Sequence, residues 1–144
     1  MLALTPRFSA RRSGFTLVEL IAVIVVLAVL SIVAVPKYMD YSSRARESAT
    51  RGVLGNVRTA IANFQANSAA SGAAAFPTLT QLQTPGTVLN DAVPANPYNN
   101  NATVAAAVWA STPPTSGTAG WNYDAALGRF WANTNTTGVG ENSW

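Results

Sequence analysis

The sequence has no cysteine and no histidine. The first absence excludes disulfide staples and thiolate metal sites. The second removes the side chain that serves most often as a metal ligand and general base. Charge is scarce too: Asp, Glu, Lys and Arg make up 10% of the 144 residues, where soluble domains carry roughly 25%. Alanine, threonine, asparagine and serine fill the gap, giving a polar, weakly charged composition that suits an exported protein. The formal net charge of +3 does not describe a basic surface. Arg7, Arg11 and Arg12 precede residue 15 with no acid among them, and beyond residue 14 six Lys/Arg face six Asp/Glu. Such a remainder offers no electrostatic footprint for nucleic acid. There is also no Gly-Lys phosphate loop, and no carboxylate pair at helical spacing in the second half. No enzyme, no cofactor and no metal site is therefore expected, and the length allows one compact domain plus an N-terminal extension.

What the chain does have is an apolar run, residues 15–35, interrupted by only Thr16, Glu19 and Ser31. As a helix it would measure roughly 30 Å, the thickness of a bilayer core. A soluble core helix of this length would carry a polar face, and a domain this small could hardly cover it otherwise. Membrane insertion is the expectation. The order of segments is not that of an ordinary secretory signal, which places its apolar region before the cleavage site. Here a short basic leader ends at Gly14, the apolar run follows, and helical patterning continues past it. Charge alone leaves the orientation open: three arginines precede the span, but Lys37, Arg44, Arg46 and Arg51 follow closely.

The stretch Gly14-Phe15-Thr16-Leu17-Val18-Glu19, placed between that leader and an apolar helix running to Pro36, resembles the class III signal of type IV pilins and type II secretion pseudopilins. The resemblance is close over residues 11–36. It implies cleavage by a prepilin peptidase between Gly14 and Phe15, and N-methylation of the new Phe15 amine. It also implies a bacterial inner-membrane, single-pass precursor whose leader stays in the cytoplasm while the head is exported. That precursor would then be polymerised with other copies by an assembly ATPase and a platform protein into a periplasmic or extracellular filament. Membrane lipid is the partner before assembly, and no nucleic acid is expected.

Glu19 is the anomaly of the run. A carboxylate in a membrane helix is costly, and the positive helix end one turn away offsets part of that cost. Cleavage before Phe15 would create an ammonium close by. A buried charge needs a partner, and the resemblance implies that Glu19 of one subunit neutralises the Phe15 amine of its neighbour in a filament core. Gly14, lacking a side chain, would let the peptidase approach the backbone. Pro36 has no amide hydrogen, so the Ile32 carbonyl loses its helical partner, which predicts a kink or a melted turn.

After Lys37 the helical pattern resumes. Leu54, Val57, Ile61 and Phe64, spaced by three, four and three, form a stripe expected to pack on the head's sheet. Arg44, Arg51 and Arg58 recur every seven residues on another face and are expected to be solvated, a subunit contact being the alternative. Glu47 precedes Arg51 by four, a favourable helical pair. Gly52 and Gly55 are costly in a helix and would suit close approach of another backbone. The helix should fade near residue 70.

From residue 76 onward Pro85-Gly86, Pro94, Pro97, Asn99-Asn100-Asn101 and Pro113-Pro114 punctuate short segments. Residues 104–110 read as one strand. Trp121-Asn122-Tyr123 and Arg129-Phe130-Trp131-Ala132 read as a hairpin with Gly128 at the exit of its turn. Trp109, Trp121, Tyr123, Phe130 and Trp131 are expected to cover the stem's stripe, and residues 133–144 to be an exposed, irregular tail. The Phe76-Pro77-Thr78-Leu79 and Asn96-Pro97-Tyr98 segments and the terminal hairpin resemble major pseudopilins, many of which bind calcium in the late loop. With only Asp91, Asp124 and Glu141 available, the head makes a poor case for a hard-cation site, which needs roughly six to eight oxygens. Asn101-Ala102-Thr103 and Asn135-Thr136-Thr137 match glycosylation sequons.

The fold class expected is α+β, a long helix packed against a small antiparallel sheet. The organisation expected is leader 1–14, membrane or filament-core helix 15–35, amphipathic stem 36–70 and β-rich head 71–144. The function expected is a filament subunit. The alternative is a membrane-anchored binding module that does not polymerise and keeps residues 1–14.

Overall fold

The computed structural model describes residues 14–144, so Arg7, Arg11 and Arg12, and most of the leader expected over 1–14, lie outside the described residues. The fold is α+β. The first element, α1, is a helix over Leu17–Ala70. It stays helical through Pro36, with no melted turn on either side. The chain divides into two compact units, the second of which is Tyr41–Trp144.

In the first unit every described residue is exposed. The polar side chains of the apolar run nevertheless have local partners. The Ser31 hydroxyl donates to the Leu27 carbonyl, 2.7 Å away on the preceding turn, so it presents no unpaired donor to an apolar surrounding. Thr16 and Glu19 satisfy each other, as described below.

The second unit is built on one stripe of α1. Thr50, Leu54, Val57 and Ile61 are its buried residues, spaced by four, three and four as one helical face requires. Phe64 is only half-buried, so the stripe is shifted one turn earlier than the pattern of large apolar residues suggests. A short helix, α2 (Leu79–Gln83), follows. Thr78 caps it, accepting from the Gln81 amide at 3.2 Å while the Gln81 side chain accepts from the Thr78 amide at 2.8 Å, a reciprocal capping box.

Three strands complete the unit: β1 (Val104–Ala106), β2 (Trp121–Asp124) and β3 (Arg129–Ala132), in the order β1-β2-β3. The β2–β3 hairpin is antiparallel, pairing Tyr123 with Phe130 and Trp121 with Ala132. β1 pairs with β2 in parallel, Val104 opposite Trp121. The sheet is therefore mixed, which corrects the expectation of an antiparallel one. Parallel pairing needs a crossover of a dozen or more residues, and residues 107–120 supply it. That crossover also shortens the first strand, which ends at Ala106 rather than at residue 110.

The crossover explains a second correction. Trp121, Tyr123, Phe130 and Ala132 share the face that packs on Leu54, Val57 and Ile61. Asn122 and Trp131, opposite one another in register, point to the other face and are buried there as well. Segment 113–118 covers them. The Pro114 carbonyl accepts from Asn122 Nδ2 at 2.9 Å and from Trp131 Nε1 at 3.0 Å, and half-buried Trp109 meets the Trp131 ring edge-on at 5.2 Å. Trp109 and Trp131 thus cover the far side of the sheet, not the stem.

Asparagines do the work that charges do in other domains. Asn96, Asn99 and Asn101 each accept from the main-chain amide two residues on, and each donates across to residues 118–120: Asn96 to the Gly120 carbonyl at 2.8 Å, Asn99 to Ala119 at 2.9 Å and Asn101 to Thr118 at 3.1 Å. The amide nitrogen of the Asn101 sequon is thereby engaged in the fold.

Gly120 sits where these segments close. A Cβ there would lie 1.7 Å from the Asn101 carbonyl oxygen and 2.7 Å from its carbonyl carbon, both main-chain atoms. Gly120→Ala must push the 96–101 loop off the sheet, at a cost of at least about 3 kcal/mol. The expected result is a thermal midpoint lowered by more than 10 °C, on the order of 4–8 °C per kcal/mol, followed by near-UV circular dichroism of the detergent-solubilised chain. An unchanged midpoint would contradict this packing. Gly128, at φ 64°, takes the left-handed corner of the β2–β3 turn, as its place in the sequence predicts.

The last segment is not an exposed tail. Glu141 and Asn142 are buried in a 3₁₀ turn over Glu141–Ser143. Asn142 Nδ2 donates to the Pro113 carbonyl at 2.8 Å, and the Glu141 carboxylate accepts from the Thr136 amide at 2.9 Å and its hydroxyl at 2.7 Å. Burial pushes the Glu141 carboxyl up, but its own amide and Thr136 hydrogen-bond the charged form, and the net shift is downward. Arg58 is also tied in, which corrects its assignment to a solvated face. It is half-buried, donating from Nε to the Phe130 carbonyl at 2.9 Å and from a terminal nitrogen to the Trp144 main-chain oxygen. The first of these bonds caps a carbonyl at the free edge of β3, where an unpaired strand would otherwise invite pairing with another chain. Arg44 is exposed; Arg51 pairs with Glu47 at 3.1 Å and lies 4.1 Å over the Trp144 ring.

Candidate processing and assembly site

Gly14, Phe15 and Thr16 precede the first turn of α1 in non-helical conformation, and all three are exposed, Phe15 to 83%. A Cβ added at Gly14 would meet nothing within 4 Å. Nothing in the described fold calls for glycine at this position.

Thr16 caps the helix. Its carbonyl takes the first helical bond, from the Leu20 amide at 3.2 Å. Its hydroxyl accepts from the Glu19 amide at 3.2 Å, and Oε2 of the Glu19 carboxylate accepts both from the Thr16 amide at 2.9 Å and from its hydroxyl at 3.0 Å. This is the same reciprocal box that opens α2, with a carboxylate in place of an amide. In the single chain, then, Glu19 has a local partner and is held against the start of the helix. Reading Glu19 only against the helix dipole overlooks Thr16. The Thr-x-x-Glu spacing carries that signal.

Of the residues singled out from sequence, Gly14 and Phe15 lie just before α1 and Glu19 lies in its first turn. Pro36 lies about 25 Å further along the same helix axis. Between them, α1 contains an apolar window with mean hydropathy of 3.1 and none of it buried. This is one helix long and apolar enough to cross a membrane, and its lack of cover distinguishes it from the core helix of a soluble protein.

The acids of the second unit are dispersed. Asp124 Oδ2 accepts from the Trp109 amide at 2.8 Å, and Oδ1 from the Ala126 amide at 2.9 Å. The Trp109 bond is the main cause holding its carboxyl below the ordinary range, against the opposing effect of burial. Glu141 is committed to Thr136. Among the described residues no three of His, Cys, Asp or Glu gather into a group able to hold a metal ion. Burial, with the Asp124 charge beside it, pushes the Tyr123 phenol up to about 12, so it remains protonated and donates to the Pro77 carbonyl at 2.7 Å.

No curated protein and no solved structure matches the chain. The prokaryotic N-terminal methylation motif matches residues 9–35, which include Arg11 and Arg12, the Gly14–Phe15 junction, the Thr16–Glu19 box and the uncovered apolar run. The chain therefore carries, at its N-terminus, the methylation signal found in type IV pilins and pseudopilins.

Proposed function

We propose that the protein is a structural subunit of a type IV pilus-like or type II secretion pseudopilus filament. It is made as a precursor, cut between Gly14 and Phe15 by the prepilin peptidase, methylated on the Phe15 amine, and polymerised through the apolar half of α1. The observation that carries this reading is the methylation motif leading into a helix, with the apolar side chains from Phe15 to Val35 all uncovered. At roughly 25 cal/mol per Å2 of apolar surface, such a helix is driven out of water into lipid or against other copies of itself. Lipid serves the stored precursor, and neighbouring helices serve the filament.

The surroundings support the membrane half of this account. Lys37, Tyr38 and Tyr41 are exposed just beyond the apolar run, the kind of residues that sit at a membrane–water boundary. On this reading the head lies outside the cytoplasm, an assembly ATPase and a polytopic platform protein extract the subunit from the inner membrane, and Pro36 is the point where the core helix bends. Glu19 leaves its box with Thr16, or shares it, to meet the Phe15 amine of a neighbouring copy.

Mass spectrometry of the protein from its native membrane tests this directly. The mature chain should begin at a methylated Phe15, and sheared surface fractions viewed by electron microscopy should contain fibres that react with an antibody to the head. A chain that retains Met1 and never sediments as fibres is a tethered binding module instead.

A further inference from the structure

The second unit carries complementary features on opposite flanks of α1. On one flank a groove of about 530 Å3 is lined by Arg58, Trp109, Leu127, Arg129, Phe130 and Trp144, with no Asp or Glu side chain in its walls. Leu127 is 53% exposed. Arg129 is exposed, and its guanidinium lies 5.4 Å over the Trp109 ring. The ion pair found among the described residues is Arg51 with Glu47, so neither arginine of the groove has an Asp or Glu carboxylate within ion-pair distance. Arg58 is held by two main-chain oxygens, and burial together with the nearby Arg129 charge lowers its pKa. With Arg58 committed to those oxygens, Arg129 is the groove's uncommitted cation, set against apolar walls, and it can take an anion.

On the other flank a smaller groove of about 210 Å3 lies between α1 and the loop that carries Leu89 and Asp91. Its wall on α1 includes Asn56, whereas the first groove uses Arg58. On a helix these two residues stand roughly 100° to either side of Val57, which points into the core. Asp91 is exposed and has no ion pair. The other acids of the unit are accounted for: Glu47 pairs with Arg51, Asp124 holds the hairpin turn, and Glu141 is buried against Thr136. Among the unit's Asp and Glu side chains, Asp91 is thus the one free to make an outside contact. Of the exposed cations, Arg44 and Arg46 stand on the open helix surface, whereas Arg129 stands in a groove with a second cation behind it.

We propose that Asp91 of one copy docks on Arg129 in the Trp109–Leu127 groove of the next copy. Each head then donates one carboxylate and receives one, a head-to-tail contact between different patches. Repetition of such a contact without closure generates a helical fibre. The contact rests on the filament reading above and adds to it an interface between heads, separate from the packing of the apolar helices.

The absence of cysteine makes the contact directly accessible to crosslinking. The full-length chain carrying both Asp91→Cys and Arg129→Cys, expressed in its own strain and treated with a short bis-maleimide, should yield a ladder of dimers, trimers and larger species from sheared filaments. Neither single variant should yield a ladder. Independently, Arg129→Asp should lower the recovery of sheared filaments by roughly tenfold, and adding Asp91→Arg should restore it to within about twofold of the unsubstituted protein. Filaments that form without a ladder, or a charge swap that fails to restore recovery, overturn the contact while leaving the filament reading standing. If the unsubstituted strain makes no filaments, the filament reading falls and this contact with it. Both positions are exposed, and Arg129→Gln, which keeps a polar side chain, should lower recovery in the same direction if charge is what matters.

Discussion

Replacing Gly14 by valine is expected to leave essentially all of the protein as uncut precursor. The expectation does not come from any demand of the fold. Gly14 lies outside the helix, is exposed, and would have open space around a Cβ. The helix is started by the Thr16–Glu19 box two residues further on, and valine at 14 leaves that box intact. The variant should therefore insert and fold its head like the unsubstituted chain. What changes is access to the Gly14 carbonyl from outside, because a peptidase must bring its catalytic groups against the main chain, and a branched side chain obstructs that approach. Gel mobility and the intact mass of the membrane-extracted protein read the outcome: residues 1–14 should remain attached and Phe15 should be unmethylated. Fibres should then be absent, because the Phe15 nitrogen stays in a peptide bond and cannot carry the charge that Glu19 would meet. Normal maturation of Gly14→Val would remove the assignment of the cleavage site.

The separation of a processing defect from a folding defect is possible because the two halves of the chain were legible for different reasons. The apolar run is a matter of composition and length, and the helix it forms has no tertiary contact to alter it. The stripe at Leu54, Val57 and Ile61 follows from the helical period, and the β2–β3 hairpin from an Asp-to-Gly turn between two aromatic segments. All of these signals are local. The features that were not legible depend on residues far apart in sequence. Nothing in Val104-Ala105-Ala106 says that its partner is β2 or that the pairing is parallel; residues 107–120 decide both by crossing over the sheet. The same crossover buries Trp131 and Asn122 on a face that alternation would assign to water. Arg58 matches Arg44 and Arg51 in heptad spacing but differs from them in environment, because β3 and Trp144 close over its position. The two capping boxes are the instructive case. Thr16-x-x-Glu19 and Thr78-x-x-Gln81 carry the same local signature, yet the first is hidden by the more conspicuous oddity of an acid in an apolar run, and the second by a short segment that reads as a turn.

The box at the start of α1 bears on the second large effect, that of Glu19. Two roles are combined in this side chain: it caps the helix through Thr16, and on the filament reading it answers the amine of a neighbour. Glu19→Ala removes both. Glu19→Gln keeps a side-chain oxygen at the position that closes the box, as Gln81 does for α2, and removes only the charge. In a helix of 54 residues the loss of one cap frays a single turn, and the loss of a charge makes insertion into lipid easier. Both variants should therefore reach the membrane and be cut after Gly14 at normal levels. In the filament the situation reverses, because a Phe15 ammonium enclosed by apolar helices is left without a counter-charge, and an unpaired buried charge is far more costly than a lost neutral hydrogen bond. Sheared fibre recovery should fall by more than about tenfold for both Ala and Gln, with mature subunit accumulating in the membrane fraction. Fibre yield that is lost in Glu19→Ala but retained in Glu19→Gln would assign the residue to the cap alone. Retention in both would remove Glu19 from assembly, leaving burial of the apolar helix as the force that holds neighbouring copies together.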